Sequence, residues 1–270
     1  DGDGATDLFV AGSNRLFAGD DGRLREVDAG VFAWPQEGNE DDVTGVTATD
    51  VDADGDLDLV LGPHFNSVLE GAPAQPIRLF RNDGGLAFTE VTEEAGLTGL
   101  PTKSPHVDAV DVDQDGIVDL VTTASTVDGG PVWFRGLGVD DGVPRFERVG
   151  EPGPAQYWVT GTSADLDRDG RVEIVVLEWE PALPARVWSP DAAVGHWVSV
   201  TAPLGSTVEA SADGSLVGSG IAGGAQGYAA GAPGQVRVGV GAVERVDVAI
   251  DGVVVWEDAA VDTAYAVEGC

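Results

Sequence analysis

The chain of 270 residues has one lysine (Lys103), one cysteine (Cys270) and no methionine. Each scarcity removes a class of protein. A single Cys cannot close an intrachain disulfide, so no disulfide framework holds this fold. Cys270 is open to use as a free thiol, an intermolecular bridge or an attachment point, or it marks a processing boundary. Thirteen Arg are the only other fixed cations, and with 47 acidic residues the formal charge is −33. Nucleic-acid binding needs basic patches, and an anionic membrane surface repels such a chain. No apolar run approaches the ~18 residues that span a bilayer, so no membrane insertion is expected. With no Met and a start inside a repeat, the natural N-terminus is expected upstream, and any signal peptide is expected to have gone with it.

Catalytic signatures are also missing. No G-x-S-x-G or H-E-x-x-H occurs, and His64, His106 and His196 lie far apart. His106 reads as a surface histidine at a strand end, with orientation of a nearby Asp as the alternative. Gly218-Ser-Gly220-Ile-Ala-Gly223 spells G-x-G-x-x-G. A dinucleotide site would need a strand, turn and amphipathic helix around it, and the Gly/Ala-rich continuation supplies no such helix. The chain is therefore not expected to be an enzyme.

What is abundant is Asp at fixed spacing. Three nine-residue stretches read D-x-D-x-D-G-x-x-[DE]: Asp50 to Asp58, Asp111 to Asp119, and Asp165 to Glu173. A shortened copy opens the chain with Asp1, Asp3 and Asp7. Carboxylates ~4 Å apart repel by ~1 kcal/mol even at the dielectric of water. Repeating that arrangement is best explained by a hard dication, and oxygen-only ligands point to Ca²⁺. An EF-hand loop would carry its bidentate Glu at position 12, but Leu61, Thr122 and Val176 stand there. The last carboxylate sits at position 9, and apolar residues such as Leu59-Val60-Leu61 and Ile174-Val175-Val176 follow. These are strand formers, so each loop joins two β-strands. The candidate ligands are Asp50, Asp52, Asp54 and Asp58; Asp111, Asp113, Asp115 and Asp119; and Asp165, Asp167, Asp169 and Glu173. The residues at position 7 (Asp56, Ile117 and Arg171) would offer a backbone carbonyl, which frees their side chains to vary. Three Ca²⁺ sites are expected, with a fourth truncated at Asp1, Asp3 and Asp7.

The loops start 61 and 54 residues apart (111−50 and 165−111). The truncated copy would begin just ahead of Asp1, about 51 residues before Asp50. Each period reads as four strands, in the clearest copy about 43–49, 57–62, 77–82 and 87–92. Four antiparallel strands per repeat make a propeller blade, because one small sheet cannot bury its face alone. The first copy lacks its inner strand. That strand has three possible sources: the C-terminal segment Thr263–Val267, sequence upstream of Asp1, or a neighbouring molecule.

The loops, the strand Asp58-Leu59-Val-Leu-Gly62 and the segment Arg78-Leu79-Phe80-Arg81-Asn82-Asp83-Gly84 to Leu97 resemble the FG-GAP/VCBS repeat family. These are the blades of integrin-α-like β-propellers, and the resemblance covers roughly residues 1–190. After that the acidic loops stop. His196-Trp197-Val198, Gly220-Ile221-Ala222-Gly223, Val238-Gly239-Val240-Gly241 and Glu244-Arg245-Val246-Asp247 are similar to the ASPIC/UnbV module. The order of the two resembles cartilage-acidic-protein-like proteins and bacterial secreted proteins. The expectation is an all-β chain: a propeller of about four four-stranded FG-GAP/VCBS blades over 1–190 and a small β module over 191–270.

Adhesion or extracellular assembly, with Ca²⁺ as a structural ion and an extracellular or cell-surface location, is the first functional expectation. The second is a carbohydrate-binding or accessory module of an extracellular enzyme system. Trp34 and Trp179 are its candidate binding residues, whereas Trp133, Trp158, Trp188 and Trp256 fall in strands and suit a core. The third is a filament subunit joined by strand addition. The partner is accordingly an extracellular protein, a glycan or another copy of the chain.

Overall fold

The computed structural model describes residues 1–27, 30–33, 44–63, 77–98, 106–122, 132–149, 158–178, 182–189, 195–223, 225–226, 230–231 and 234–267. Trp34, His64, Trp179 and Cys270 lie outside them.

Hydrophobic residues at a period of two, broken by Asp-Gly turns, produce an all-β chain with no α-helix among the described residues. The N-terminal part forms four antiparallel meanders. The first contains β1 (Leu8–Val10), β2 (Arg15–Asp20) and β3 (Arg23–Val27). The second contains β4 (Thr44–Thr49), β5 (Asp58–Pro63), β6 (Arg78–Asn82) and β7 (Phe88–Glu90). The third contains β8 (Val107–Val110), β9 (Asp119–Thr122), β10 (Val132–Asp140) and β11 (Val143–Arg148). The fourth contains β12 (Trp158–Ala164), β13 (Glu173–Glu178) and β14 (Arg186–Trp188). Each of the three complete acidic loops connects the first two strands of its meander, the truncated copy leads into β1, and none of the sheets closes on itself.

Side-chain alternation lets the second and third meanders each pack on two neighbours. On β5, Leu59 and Leu61 face a cluster with Leu16, Phe32 and Phe80, while Val60 faces the opposite cluster with Val107, Leu120 and Phe134. On β9, Leu120 joins that second cluster and Val121 joins a third with Val112, Ile174 and Val176. The inner strands are thus buried on both faces. Phe32 centres the first contact, with ring centroids 5.0, 4.7 and 5.1 Å from Phe9, Phe80 and Phe88. Trp133 and Trp188 meet edge to face at 6.0 Å against the third cluster.

The C-terminal strands are β15 (His196–Thr201), β16 (Thr207–Ala212), β17 (Ser215–Ile221), β18 (Ala225–Gln226), β19 (Ala230–Gly231), β20 (Gln235–Gly241), β21 (Arg245–Ile250), β22 (Val253–Ala260) and β23 (Thr263–Ala266). They form a β20-β15-β23 sheet and a β17-β16-β21-β22 sheet around a Val-rich core, with β18 and β19 as a small ribbon. Trp256 packs on that core. At the β16–β17 turn, Asp213 and Gly214 have φ of 51° and 76°, the two left-handed residues that a tight hairpin needs. The G-x-G-x-x-G stretch lies mostly in β17, a strand. One expectation is corrected: residues 263–266 do not complete the first meander, because β23 pairs in parallel with β15. A second correction concerns His106. It is 3 % exposed rather than a surface residue, and burial holds its imidazole down to about 4.

Candidate metal centres

The three complete loops share one backbone design. Position 1 takes the amides of the far side of the loop: Asp50 accepts from Asp54 and Gly55 at 3.2 Å each, and Asp111 from Asp115 at 3.1 Å and Gly116 at 2.9 Å. Asp165 accepts from Gly170 at 3.1 Å. Position 5 takes the amide of position 7, from Asp56 to Asp54, Ile117 to Asp115 and Arg171 to Asp169, at 2.9 Å in each case. These bonds wrap the chain tightly, and the wrap requires left-handed backbone at two positions. Gly55, Gly116 and Gly170 supply it at position 6 with φ of 95°, 93° and 93°. Position 4 is left-handed too, at Ala53, Gln114 and Arg168 (φ 59°, 59° and 65°), and no residue type there announces it.

Position 9 has a further task. Asp58 Oδ2 accepts from the Val51 amide and Oδ1 from the Asn82 amide, both at 2.8 Å. Asp119 does the same with Val112 at 2.9 Å and Gly136 at 2.7 Å. The carboxylate therefore ties its loop to the third strand of the same sheet. Glu173, with its longer arm, accepts from Leu166 at 2.7 Å. In the truncated copy Asp7 accepts from Gly19 at 2.8 Å, Ala5 donates to Asp3 at 2.8 Å and Asp3 donates to Asp1 at 3.2 Å. The design persists there without a triad of acids.

Three triads do converge, with potential ligand atoms within 4.8 Å of one another: Asp50, Asp52 and Asp58; Asp111, Asp113 and Asp115; Asp165, Asp167 and Glu173. Asp54, Asp119 and Asp169 stand outside these tight groups. Both Asp119 oxygens serve backbone amides, as do those of Asp58 inside its triad, and Asp169 is paired with Arg171 at 2.7 Å. One oxygen in each group, of Asp52, Asp113 and Asp165, is buried without a hydrogen-bond partner. Burial, then neighbouring carboxylates, pushes Asp52 up to about 6. Burial also pushes Asp58 and Asp111 up to about 8 and Asp119 to about 7, against the amide bonds they accept. Desolvated acids crowded together with an unserved oxygen fit an oxygen-seeking dication, which would supply the missing partner and hold them ionised. All-oxygen donors are compatible with Ca²⁺ without identifying it.

Several contributors have no acidic signature. Arg135 reaches Asp113 at 2.7 Å and Asp115 at 3.0 Å. Its place after Phe134 matches Arg81 after Phe80, so the repeat itself could have found it. The C-terminal sheets also touch the loops. Ser219 donates to Asp50 at 3.3 Å, the Gly241 amide donates to the Gln114 carbonyl at 3.2 Å, and Arg237 donates to Asp165 at 3.1 Å. Gln114 donates to the Gly170 carbonyl, joining two loops directly. A cavity of about 210 Å³ lies among Asp50, Asp111, Asp165, Glu209, Ser219 and Arg237.

Residues 111–176 match the family model of the FG-GAP-like repeat. That segment runs from the first Asp of one loop, through the next loop, into β13, so it spans one full period and the loop that opens the next. Repeats of this kind are found in extracellular adhesion-type proteins. No curated protein matches the chain significantly. Among the described residues no helix is long and apolar enough to cross a membrane.

Proposed function

We propose that the four N-terminal meanders are blades of a Ca²⁺-stabilised β-propeller that serves extracellular adhesion or assembly, with the ions structural and no catalysis. The observation that carries this is the threefold recurrence of one loop, with the position 6 amide on position 1, the position 7 amide on position 5, the same left-handed positions and a converging acid triad. The packing supports it: the second and third meanders each lay one face on the meander before and the other on the one after, as successive blades do. The C-terminal sheets are then an accessory module on the loop side, of ASPIC/UnbV type. A partner for such a surface is an extracellular protein or glycan. Millimolar extracellular Ca²⁺ suits the ~10⁻⁴–10⁻³ M affinities of extracellular modules.

Occupancy at 100 times Kd adds ~2.7 kcal/mol per site. A thermal melt with EDTA, with Ca²⁺ and with Mg²⁺ tests the reading. Chelation is expected to lower Tm, Ca²⁺ to restore it and Mg²⁺ to restore it less, because Mg²⁺ demands a stricter octahedron and sheds water reluctantly. A Tm indifferent to chelation removes the proposal.

A further inference from the structure

The three complete loops meet different groups of the C-terminal sheets, and the Asp165 loop is hydrogen-bonded by a charged side chain. The Asp50 loop meets the hydroxyl of Ser219, and the Asp111 loop meets the backbone of Gly239 and Gly241. The Asp165 loop meets Arg237, whose Nη1 donates to Asp165 Oδ2 at 3.1 Å. The guanidinium carbon lies 4.0 Å above the centre of the Trp197 ring. Trp197 in turn abuts the loop, since a Cβ at Gly170 would stand 2.6 Å from the indole nitrogen. Arg237 is thus clamped between a loop carboxylate and an aromatic face, and its Nε and Nη2 are buried without hydrogen-bond partners.

Two other arginines touch loop acids, but differently. The side chain of Arg135 is 39 % exposed and that of Arg171 is 44 % exposed, against 16 % for Arg237. Arg135 and Arg171 can swing into water when a cation arrives. Arg237 cannot leave unless β20 shifts from the loop. A fixed positive charge bonded to a ligand of position 1 opposes a dication on the other oxygen of the same carboxylate, and in a dry site that opposition is weakly screened.

We propose that Arg237 is an affinity-determining residue of the Asp165 loop: it weakens cation binding there and couples that loop's occupancy to the seating of the C-terminal sheets. The inference rests on the reading that the loops bind a dication. Coupling is reciprocal, so a cation in this loop weakens the hold of β20 on it.

Trp197 makes the site separately visible, because an indole against the loop sensitises Tb³⁺ bound in it. Tb³⁺ luminescence is titrated into the full chain and into Arg237→Gln, Arg237→Lys and Arg135→Gln, with Trp197→Phe identifying the signal of the Asp165 loop. The Trp197-dependent phase is expected to tighten about tenfold in Arg237→Gln, to stay in place in Arg237→Lys and to move less in Arg135→Gln. A phase that is unchanged or weaker in Arg237→Gln overturns the inference while leaving the loops as cation sites. Absence of Tb³⁺ and Ca²⁺ binding at every loop removes both. Should Arg237→Gln not fold, hydrogen exchange on the parent chain decides: saturating Ca²⁺ is expected to speed exchange in β20 relative to β15, and slowed exchange in β20 overturns the coupling.

Discussion

A carboxylate at position 9 does two jobs that the sequence shows as one. By spelling, Asp58 and Asp119 are the fourth acids of ion loops. By contact, each is a buried acceptor for two backbone amides, one in its own loop and one on the third strand of its sheet. Asp113 contrasts with them: one of its oxygens is buried without a partner, and the other pairs with the half-exposed Arg135 at 2.7 Å. Orphaning a buried donor costs ~1–3 kcal/mol, so losing two costs about 2–6 kcal/mol. Asp119→Ala is therefore expected to destabilise the chain in EDTA as well as in Ca²⁺. Asp113→Ala is expected to leave stability in EDTA near that of the parent and to abolish the response of its loop to Ca²⁺. Urea denaturation of both variants, with and without chelator, separates the roles. An Asp119→Ala variant as stable as the parent in EDTA would falsify the tie. The buried His106, read as a surface residue, failed for a related reason: nothing in a single strand tells whether a further sheet covers its end.

At the scale of the element, strands and loops were legible because their signals are local. A period of two, with Asp-Gly turns between runs, located β4 to β7 to within about two residues, a tolerance ordinary for element ends. The loop was legible from its spacing and from Leu61, Thr122 and Val176 at position 12. The left-handed residues at position 4 were not, because Ala53, Gln114 and Arg168 share no chemistry and the conformation is imposed by the amide bonds around them. The grip of Arg237 on Asp165 was not legible either, since it joins residues of two modules that no spacing rule relates. The loop element also carries a pH signature. Asp58 and Asp111 are raised to about 8 and Asp119 to about 7, all from 3.8. Between those values the folded chain keeps protons that the unfolded chain has released, so stability is fully present below the unfolded value and is lost as pH rises through the folded ones. In EDTA, Tm is expected to fall by about 5 °C between pH 6.5 and 8. With excess Ca²⁺ the fall is expected to shrink, since a cation needs those carboxylates deprotonated and gains affinity over the same interval. A differential scanning calorimetry series in both buffers checks this, and a Tm that rises with pH in EDTA overturns it.

For the whole molecule, the acidic triads and the net charge pose one problem at two ranges. Three dications would take the formal charge from −33 to −27 (−33 + 6). Most of the charge therefore remains, yet the neutralised part is the part most closely packed. The triads hold their oxygens within 4.8 Å. The remaining acids are largely spread over exposed positions, where a Debye length of ~10 Å at 0.1 M salt already screens them. If local crowding governs stability, raising monovalent salt from ~0.1 to ~1 M, which shortens the Debye length to ~3 Å, should raise Tm by about 5 °C in EDTA and by clearly less in saturating Ca²⁺. Sodium can also enter a loop, so the series needs tetramethylammonium chloride beside sodium chloride. The bulky cation screens without fitting between three carboxylates. Equal gains from both salts in EDTA mean that screening acts; a gain from sodium alone means that the loops bind it. A gain as large in Ca²⁺ as in EDTA places the destabilising charge on the general surface instead, and the acid loops would then not be the electrostatic weak point of the fold.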